Sequence, residues 1–172
     1  MIKIIINAFA NDKPGLVSKI TKIIRRNHAN IEISKMIQLE SDFTLLLLIE
    51  IDEINVKSLI NELQNIQGLK INYKKTEKKQ SEKKYNNYLF KVSVADSEGI
   101  IYLFSNLFKQ YNINIVDMDS YIKNAANTGY PIFFLKSNII IPAKCNIKKL
   151  SDDLDEIAQN NNIEYKLVKS NI

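Results

Sequence analysis

The sequence predicts an α+β fold made of two tandem βαββαβ units, each with an antiparallel four-stranded sheet and both helices on one face. The first observation behind this prediction is a strand-to-helix corner, Asp12–Val17, which recurs 84 residues later as Asp96–Ile101. The second is that alternating apolar residues precede each corner and apolar residues at helical spacing follow it. A repeat of this length indicates two copies of one structural unit.

The repeat holds residue by residue without a gap from each corner to the strand that follows the first helix. The matched pairs are Gly15 with Gly99, Leu16 with Ile100, Val17 with Ile101, Ile20 with Phe104, Asn30 with Asn114, and Ile31 with Ile115. The two halves therefore share a strand, a corner, a helix and the start of a second strand.

In the first unit, predicted over residues 1–75, alternation and helical spacing define each element. The predicted elements are a strand at Ile2–Phe9, a helix at Leu16–Asn27, a strand at Asn30–Glu40, a strand at Phe43–Ile51, a helix at Val56–Ile66 and a strand at Leu69–Tyr73. The helix at Val56 ends before Gly68, a residue typical of helix C-termini.

A charged and polar segment, residues 76–87, has no apolar periodicity and is predicted to be a linker. The second unit, residues 88–172, repeats the order. Its predicted elements are Leu89–Ala95, Ile100–Tyr111, Asn114–Lys123, Tyr130–Ile141, a helix covering Ile147–Ala158, and Ile163–Val168. The split βαβ connections place the first and third strands of each unit in the centre of a ferredoxin-like sheet. The second strand is then an edge that needs a cover.

The net charge of +5 invites a nucleic-acid interpretation, because a basic protein gains affinity by releasing counterions from phosphates. Most of it comes from one short segment, which has two glutamates and six lysines: Lys74, Lys75, Lys78, Lys79, Lys83 and Lys84. We interpret this cluster as a solvated linker.

The apolar run Leu45–Ile49 is far too short to span a bilayer, and no secretory leader is visible. The single cysteine forms no internal disulfide, which suits the cytoplasm. We expect a cytoplasmic protein without membrane contact.

The order of elements, the Asp-x-Pro-Gly-Leu-Val motif at Asp12–Val17 and the Asn-Ile pair at Asn30 resemble the ACT domain, a small regulatory module that binds amino acids. The tandem arrangement is similar to that of the glycine cleavage system transcriptional repressors, which contain two ACT domains. The resemblance implies a ligand site where two ACT domains meet, against the first corner of one and elements of its neighbour.

Carried over by position, the resemblance implies ligand-binding residues in both repeats. They are Asp12, Pro14, Gly15, Leu16, Val17, Asn30 and Ile31 in the first repeat, and Asp96, Glu98, Gly99, Ile100, Ile101, Asn114 and Ile115 in the second. Glu98 stands where the family pattern has proline, which places a carboxylate beside the second site.

Such a site has a physical rationale. An amino-acid carboxylate needs donors, which the N–H groups at a helix start supply, and its ammonium needs an acceptor such as Asp12 or Asp96. Gly15 and Gly99 let a ligand approach the backbone because they carry no Cβ. The structural alternative is that the glycines satisfy turn geometry, the asparagines stabilise a loop and Asp12 caps the helix.

Other candidates are weaker. His28 lies at a helix end without a partner at metal-ligand spacing, and Cys145 has no nearby histidine. No phosphate-binding glycine loop or nucleophile elbow occurs, so we expect neither an enzyme nor a cofactor.

We therefore predict a non-enzymatic regulator that senses a small amino acid, glycine by resemblance, and modulates transcription through a partner transcription factor. A homodimer is one assembly open to it. Direct nucleic-acid binding is the second hypothesis, with a third in which the chain is a ligand-free interaction module. The helices of each unit are separated by two strands, which disfavours a helix-turn-helix.

Overall fold

The computed structural model describes residues 1–77, 85–126 and 128–170. The chain divides into two compact units, Met1–Gln80 and Ser81–Ile172. Each contains one sheet of four strands and its own apolar core. The predicted α+β class, with tandem ferredoxin-like units, is confirmed.

The first unit has the predicted βαββαβ order. Its elements are β1 (Ile2–Asn11), α1 (Leu16–Arg26), β2 (Asn30–Leu39), β3 (Asp42–Ile51), α2 (Val56–Gln64) and β4 (Lys70–Thr76), with a single 3₁₀ turn at Glu53–Asn55. The strands lie in the order β2-β3-β1-β4, and every neighbouring pair is antiparallel. The first and third strands are central, as expected.

The core of this unit forms because alternate residues of the two central strands face the helices. Ile4 and Ile6 of β1 pack with Leu47 and Ile49 of β3, and Leu59 of α2 covers them. All five are at most 1% exposed. Within residues 1–77, no helix lies on the opposite face of the sheet.

The second unit repeats the order. Its elements are β5 (Tyr85–Ala95), α3 (Ile100–Gln110), β6 (Asn114–Asn124), β7 (Pro131–Pro142), α4 (Ile147–Asn161) and β8 (Glu164–Ser170), and its strands lie in the order β6-β7-β5-β8. Its core is aromatic. The ring of Phe90 lies 4.9 Å from that of Phe104 and 5.0 Å from that of Phe108, both edge to face.

The segment 76–87, which the sequence predicts to be a linker, overlaps a strand at each end. Thr76 is the last residue of β4 and pairs with Lys3. Residues 85–87 begin β5 and pair with Ile140, Ile141 and Pro142 of β7. These polar residues become strand because a neighbouring strand binds their backbone, not because their own side chains alternate. Residues 78–84 of the linker lie outside the described residues.

Both second strands contain a β-bulge at the same place. The register shifts between Ile31 and Ile33 in β2, and between Ile115 and Asp117 in β6. A bulge exchanges the two faces of a strand beyond it. Ile31 consequently packs against the core, whereas Ile33 is 55% exposed on the other side.

The C-termini of α1 and α3 also match. His28 (φ 54°) and Asn112 (φ 52°) are left-handed, and the next residue closes the helix end. The Ala29 amide donates to the Ile24 carbonyl at 3.2 Å, and the Ile113 amide donates to the Phe108 carbonyl at 2.9 Å. This is the hydrogen bonding of a Schellman helix end.

A polar contact ties the two helices of each unit at one equivalent position. Asn27, which is 6% exposed, donates from Nδ2 to Glu62 of α2 at 3.1 Å, and Arg26 forms an ion pair with Glu62. In the second unit the Tyr111 hydroxyl donates to Asp153 of α4. Residues 27 and 111 differ by the repeat spacing of 84. The same position therefore links the two helices in both units, through a side-chain amide in one and a phenolic hydroxyl in the other.

Candidate functional site

The two corners are centred on left-handed glycines. Gly15 has φ 86° and Gly99 has φ 84°, and each occupies the position directly before α1 or α3. A Cβ at either position would meet no atom within 4 Å. Glycine is therefore favoured by backbone conformation, and the space beside it is open.

The expectation that Asp12 caps α1 is wrong, because no side chain caps this helix and Gly15 occupies the cap position. The Pro14-Gly15 turn separates Asp12 from the helix. The backbone of Asp12, rather than its side chain, holds the corner in place, because the Asp12 amide donates to the Ser41 carbonyl at 2.9 Å. The second corner matches, with the Asp96 amide donating to the Pro131 carbonyl at 3.0 Å.

The carboxylates of Asp12 and Asp96 are exposed. Within the described ranges neither forms a side-chain hydrogen bond or an ion pair. Each therefore presents a hydrogen-bond acceptor that no other part of its unit uses.

Backbone donors at the helix start follow these aspartates in the chain. The first helical hydrogen bonds run from the Lys19 amide to the Gly15 carbonyl and from the Leu103 amide to the Gly99 carbonyl, both at 2.9 Å. The Leu16 amide already donates to the Lys13 carbonyl at 3.2 Å. The Val17 amide belongs to the first turn, where a helix has no internal acceptors. An exposed carboxylate beside helix-start donors is complementary to a zwitterion.

The two corners differ in charge. Pro14 of the first corner is replaced by Glu98, which is exposed beside Asp96. Within the six-residue corner segments, the second thus carries two carboxylates, whereas the first carries one and the exposed cation of Lys13. An anionic group approaching the second corner meets more repulsion.

The apolar corner residues contribute mainly to the cores. Leu16 and Val17 are half-buried and pack against the first core. Ile100 is 6% exposed and belongs to the second core, whereas Ile101 is 42% exposed. Among these four, Ile101 offers the largest exposed fraction to a ligand.

Asn30 lies far from the corner of its own unit. The register aligns Asn30 with Glu50 and Lys3 at one end of the sheet, and Asn11, which precedes the corner, with Asp42 at the other. Lys3 and Asn11 are eight residues apart on β1, or roughly 25 Å.

The second unit repeats this separation, because Asn114 aligns with Ile140 whereas the corner follows the Ala95–Ile132 pair. Ile31 and Ile115 pack against their respective cores, next to the asparagines. Within each unit, the predicted residues thus form two separate places, a corner and a strand start.

The turn that faces the first corner was missed. Ser41 accepts the Asp12 amide, and Asn11 donates from Nδ2 to Asp42 at 3.3 Å. The corresponding acceptor in the second unit, Pro131, is not 84 residues from Ser41, because the loop before β7 is longer. The polar Ser41-Asp42 turn was the available signal, but its proximity depends on which strands pair.

The remaining candidate nucleophile, Cys145, is not activated. Burial raises the pKa of the half-buried Cys145 thiol. In the described residues no group of three or more His, Cys, Asp or Glu side chains could hold a metal ion. No helix in these ranges is long and apolar enough to cross a membrane.

Comparison with known sequences places residues 3–74 within the model of the ACT domain. The glycine cleavage system transcriptional repressor of Escherichia coli is 28% identical over 128 residues, which are 72% of this chain and 67% of that protein. A UPF0237 protein of Methanococcus maripaludis is 31% identical over 77 residues, which are 42% of this chain and 86% of that protein.

Two solved structures share the fold over nearly the whole chain. A protein of unknown function from Galdieria sulphuraria aligns with a TM-score of 0.82 at 19% identity and covers 98% of both chains. A protein described as a glycine cleavage system transcriptional repressor aligns with a TM-score of 0.70 at 20% identity, over 98% of this chain and 97% of that chain.

Proposed function

This chain belongs to the ACT domain family, whose fold both of its units adopt, and we propose that it is a non-enzymatic regulatory protein that senses a small amino acid and modulates transcription. The relative in Escherichia coli, whose name is that of a transcriptional repressor, supports the transcriptional part. Glycine is the first candidate ligand because it appears in that name.

The observation that carries the proposal is the duplicated corner. In both units a left-handed glycine opens the first helix, and the amide of an aspartate three residues earlier is held by a carbonyl at or just before the third strand. The construction leaves an exposed carboxylate for an ammonium group and first-turn amides for a carboxylate.

We assign the primary site to the first corner, with Asp12 as the ammonium acceptor and the backbone after Gly15 as the carboxylate donor. Pro14, Leu16 and Val17 shape this corner. The second corner, with Asp96, Glu98, Gly99, Ile100 and Ile101, binds a zwitterion more weakly in this proposal, because Glu98 repels the ligand carboxylate. Asn30, Ile31, Asn114 and Ile115 form secondary positions at the strand starts.

The signal is proposed to pass through protein contacts to a DNA-binding regulator. In each unit two strands separate the two helices, so no helix-turn-helix is formed within a unit.

The first experiment is a thermal-shift screen of the full chain with the twenty amino acids, followed by titration calorimetry with the best ligand. Asp12→Ala should weaken binding roughly tenfold to a hundredfold, because a charged hydrogen bond is lost. Asp96→Ala should weaken it less. Asp152→Ala, which removes an exposed carboxylate from α4, is the matched control.

Unfolding midpoints of all variants must be measured alongside, so that a loss of binding is separated from a loss of folding. Unchanged affinity in both folded corner variants would refute the corner site. If no amino acid raises the melting temperature at millimolar concentration, the chain is a ligand-free interaction module.

Direct DNA binding is the second candidate, favoured by the exposed basic residues Lys19, Lys22 and Arg25 of α1. A gel shift with the chain alone, repeated at several salt concentrations, distinguishes it. Sequence-preferring binding that weakens steeply with salt would favour DNA as the direct target.

A further inference from the structure

Three lysines stand side by side on the helix-free face of the second sheet. Lys91 of β5 lies directly opposite Lys136 of β7 on one side and Lys166 of β8 on the other. All three are exposed, and none forms an ion pair or side-chain hydrogen bond with the part of the chain that the structure describes. Directly opposed side chains have Cβ atoms about 4.5–5.5 Å apart, and like charges there destabilise a sheet. A bound anion would offset this repulsion.

A stacked aromatic pair lies next to the lysines on the same face. Tyr121 of β6 is opposite Phe134 of β7, with ring centroids 5.2 Å apart and an interplanar angle of 22°. Tyr121 is 58% exposed. Phe134 precedes Lys136 by two residues, which is about 6.6 Å along the strand. A planar ring and an anionic group of one small ligand can therefore meet the aromatic pair and the lysines together.

A carboxylate completes the arrangement. Asp119 of β6 is opposite Lys136 and two residues from Tyr121, so it lies on the same face at the β6 end of the lysine row. Carboxylates accept hydrogen bonds from ribose hydroxyl groups in nucleotide sites. One row across the face is thus Asp119, Lys136, Lys91 and Lys166, and the aromatic pair stands in the neighbouring row.

The three lysines and the aromatic pair line one groove of about 370 Å³, together with Ser93. Asp119 lies beside this groove, opposite Lys136. Glu164 also lines it, opposite Ser93, and reduces the positive charge at that end. The volume falls in the range of small-ligand sites, roughly 300–1,000 Å³.

We propose that this sheet face binds a nucleoside monophosphate. The base stacks on Tyr121, the ribose hydroxyls donate to Asp119, and the phosphate lies among Lys91, Lys136 and Lys166. No corner residue lines this groove, so the proposal goes beyond amino-acid sensing and does not depend on it.

The fold itself does not require this arrangement, because the first unit lacks it. The row that corresponds to Lys166, Lys91, Lys136 and Asp119 is Asn72, Asn7, Leu46 and Lys35. Thr44 and Ile37 stand at the positions of the stacked aromatic pair. The first unit is thus an internal comparison with the same backbone and different side chains.

The test is titration calorimetry of the full chain at low salt with adenosine 5′-monophosphate, and separately with adenosine and with inorganic phosphate. The intact nucleotide should bind at least tenfold more tightly than either half. Lys91→Gln, Lys136→Gln and Tyr121→Ala should each weaken it about tenfold, by loss of a phosphate contact or of base stacking. Lys74→Gln, the same charge change on β4 of the first unit, should leave the affinity unchanged.

Circular dichroism melts establish that the variants fold. Absence of nucleotide binding to the unmodified chain at millimolar concentration would overturn the proposal, as would equal binding of inorganic phosphate or retained affinity in the folded groove variants. A hexa-adenylate that binds more than tenfold tighter than the mononucleotide would also overturn it, in favour of a single-stranded nucleic acid.

Discussion

The left-handed residues at the two first-helix ends show how the same backbone demand is met by different side chains. His28 and Asn112 both occupy the residue after the helix cap, with φ near 50°. Asparagine tolerates this conformation better than most L-residues, and histidine less well. The location of His28 is therefore explained by the helix end, without a ligand or a metal.

We expect His28→Gly to stabilise the chain by about 0.5–1 kcal/mol, because glycine relieves the left-handed strain and loses only part of the gain to its unfolded-state entropy. Asn112→Gly is the matched control and should stabilise it less. Urea unfolding at constant slope gives both values. A destabilised His28→Gly would mean that the imidazole makes a contribution its exposed position does not show.

The residues of the corners illustrate what a sequence can reveal at this scale. A Pro-Gly pair between a strand and a helix indicates a left-handed turn, because the conformational demand lies in the residue itself. The distance between Asp12 and Asn30 could not be obtained in this way, since it depends on which strand ends lie together. The same limit concealed Ser41 as the partner of Asp12.

At the scale of the elements, the hydrogen bonds that link the two helices of each unit depend on pH in opposite directions. The hydrogen bond from Asn27, and then that from Arg26, hold the pKa of Glu62 below its ordinary value of 4.5. The hydrogen bond to Asp153, with desolvation, raises the pKa of Tyr111 from 10.0 to about 12. The contact at Glu62 therefore weakens in acid, whereas the contact at Tyr111 weakens in alkali.

Glu62→Gln should lower the unfolding midpoint at pH 7, and the difference from the unmodified chain should vanish as the pH falls below 4.5, where the carboxylate protonates. Tyr111→Phe is the comparison variant: its difference should vanish as the pH rises from 10 through about 12, where the hydroxyl ionises. Thermal melts across this pH range measure both. A Glu62→Gln difference that is constant in acid would show that Glu62 acts without its charge.

Local periodicity predicted the type and order of the elements, because alternation and helical spacing are carried by neighbouring residues. It did not locate the features that depend on the pairing of one strand with another. Residues 85–87 are polar, and their pairing with β7 is what extends β5. The bulge after Ile31 likewise arises from the fit between β2 and β3.

At the scale of the whole molecule, the two apolar clusters share no residue. Phe90 and Ile6 occupy equivalent positions, 84 residues apart, and are at most 1% exposed. A substitution at either residue therefore tests the core of its own unit.

Phe90→Ala should cost about 3–5 kcal/mol, and Ile6→Ala about 2–5 kcal/mol, through lost packing and an unfilled cavity. Hydrogen exchange followed by mass spectrometry should show lost amide protection in residues 85–170 for Phe90→Ala and in residues 2–76 for Ile6→Ala. Each variant serves as the control for the other. Loss of protection throughout the chain in both would contradict separate cores.

The bulge in β2 has a consequence for aggregation. This strand is an edge of its sheet and carries exposed Ile33, Ile37 and Leu39, a composition that invites strand addition by another chain. Cross-β fibrils require a regular ladder of unpaired amides, and the extra residue, Glu32, breaks that ladder near one end of the edge. Its carboxylate is held by Lys3, which keeps a charge at the interruption. We expect a chain shortened by this one residue to present a regular amide ladder along this edge and to aggregate more readily.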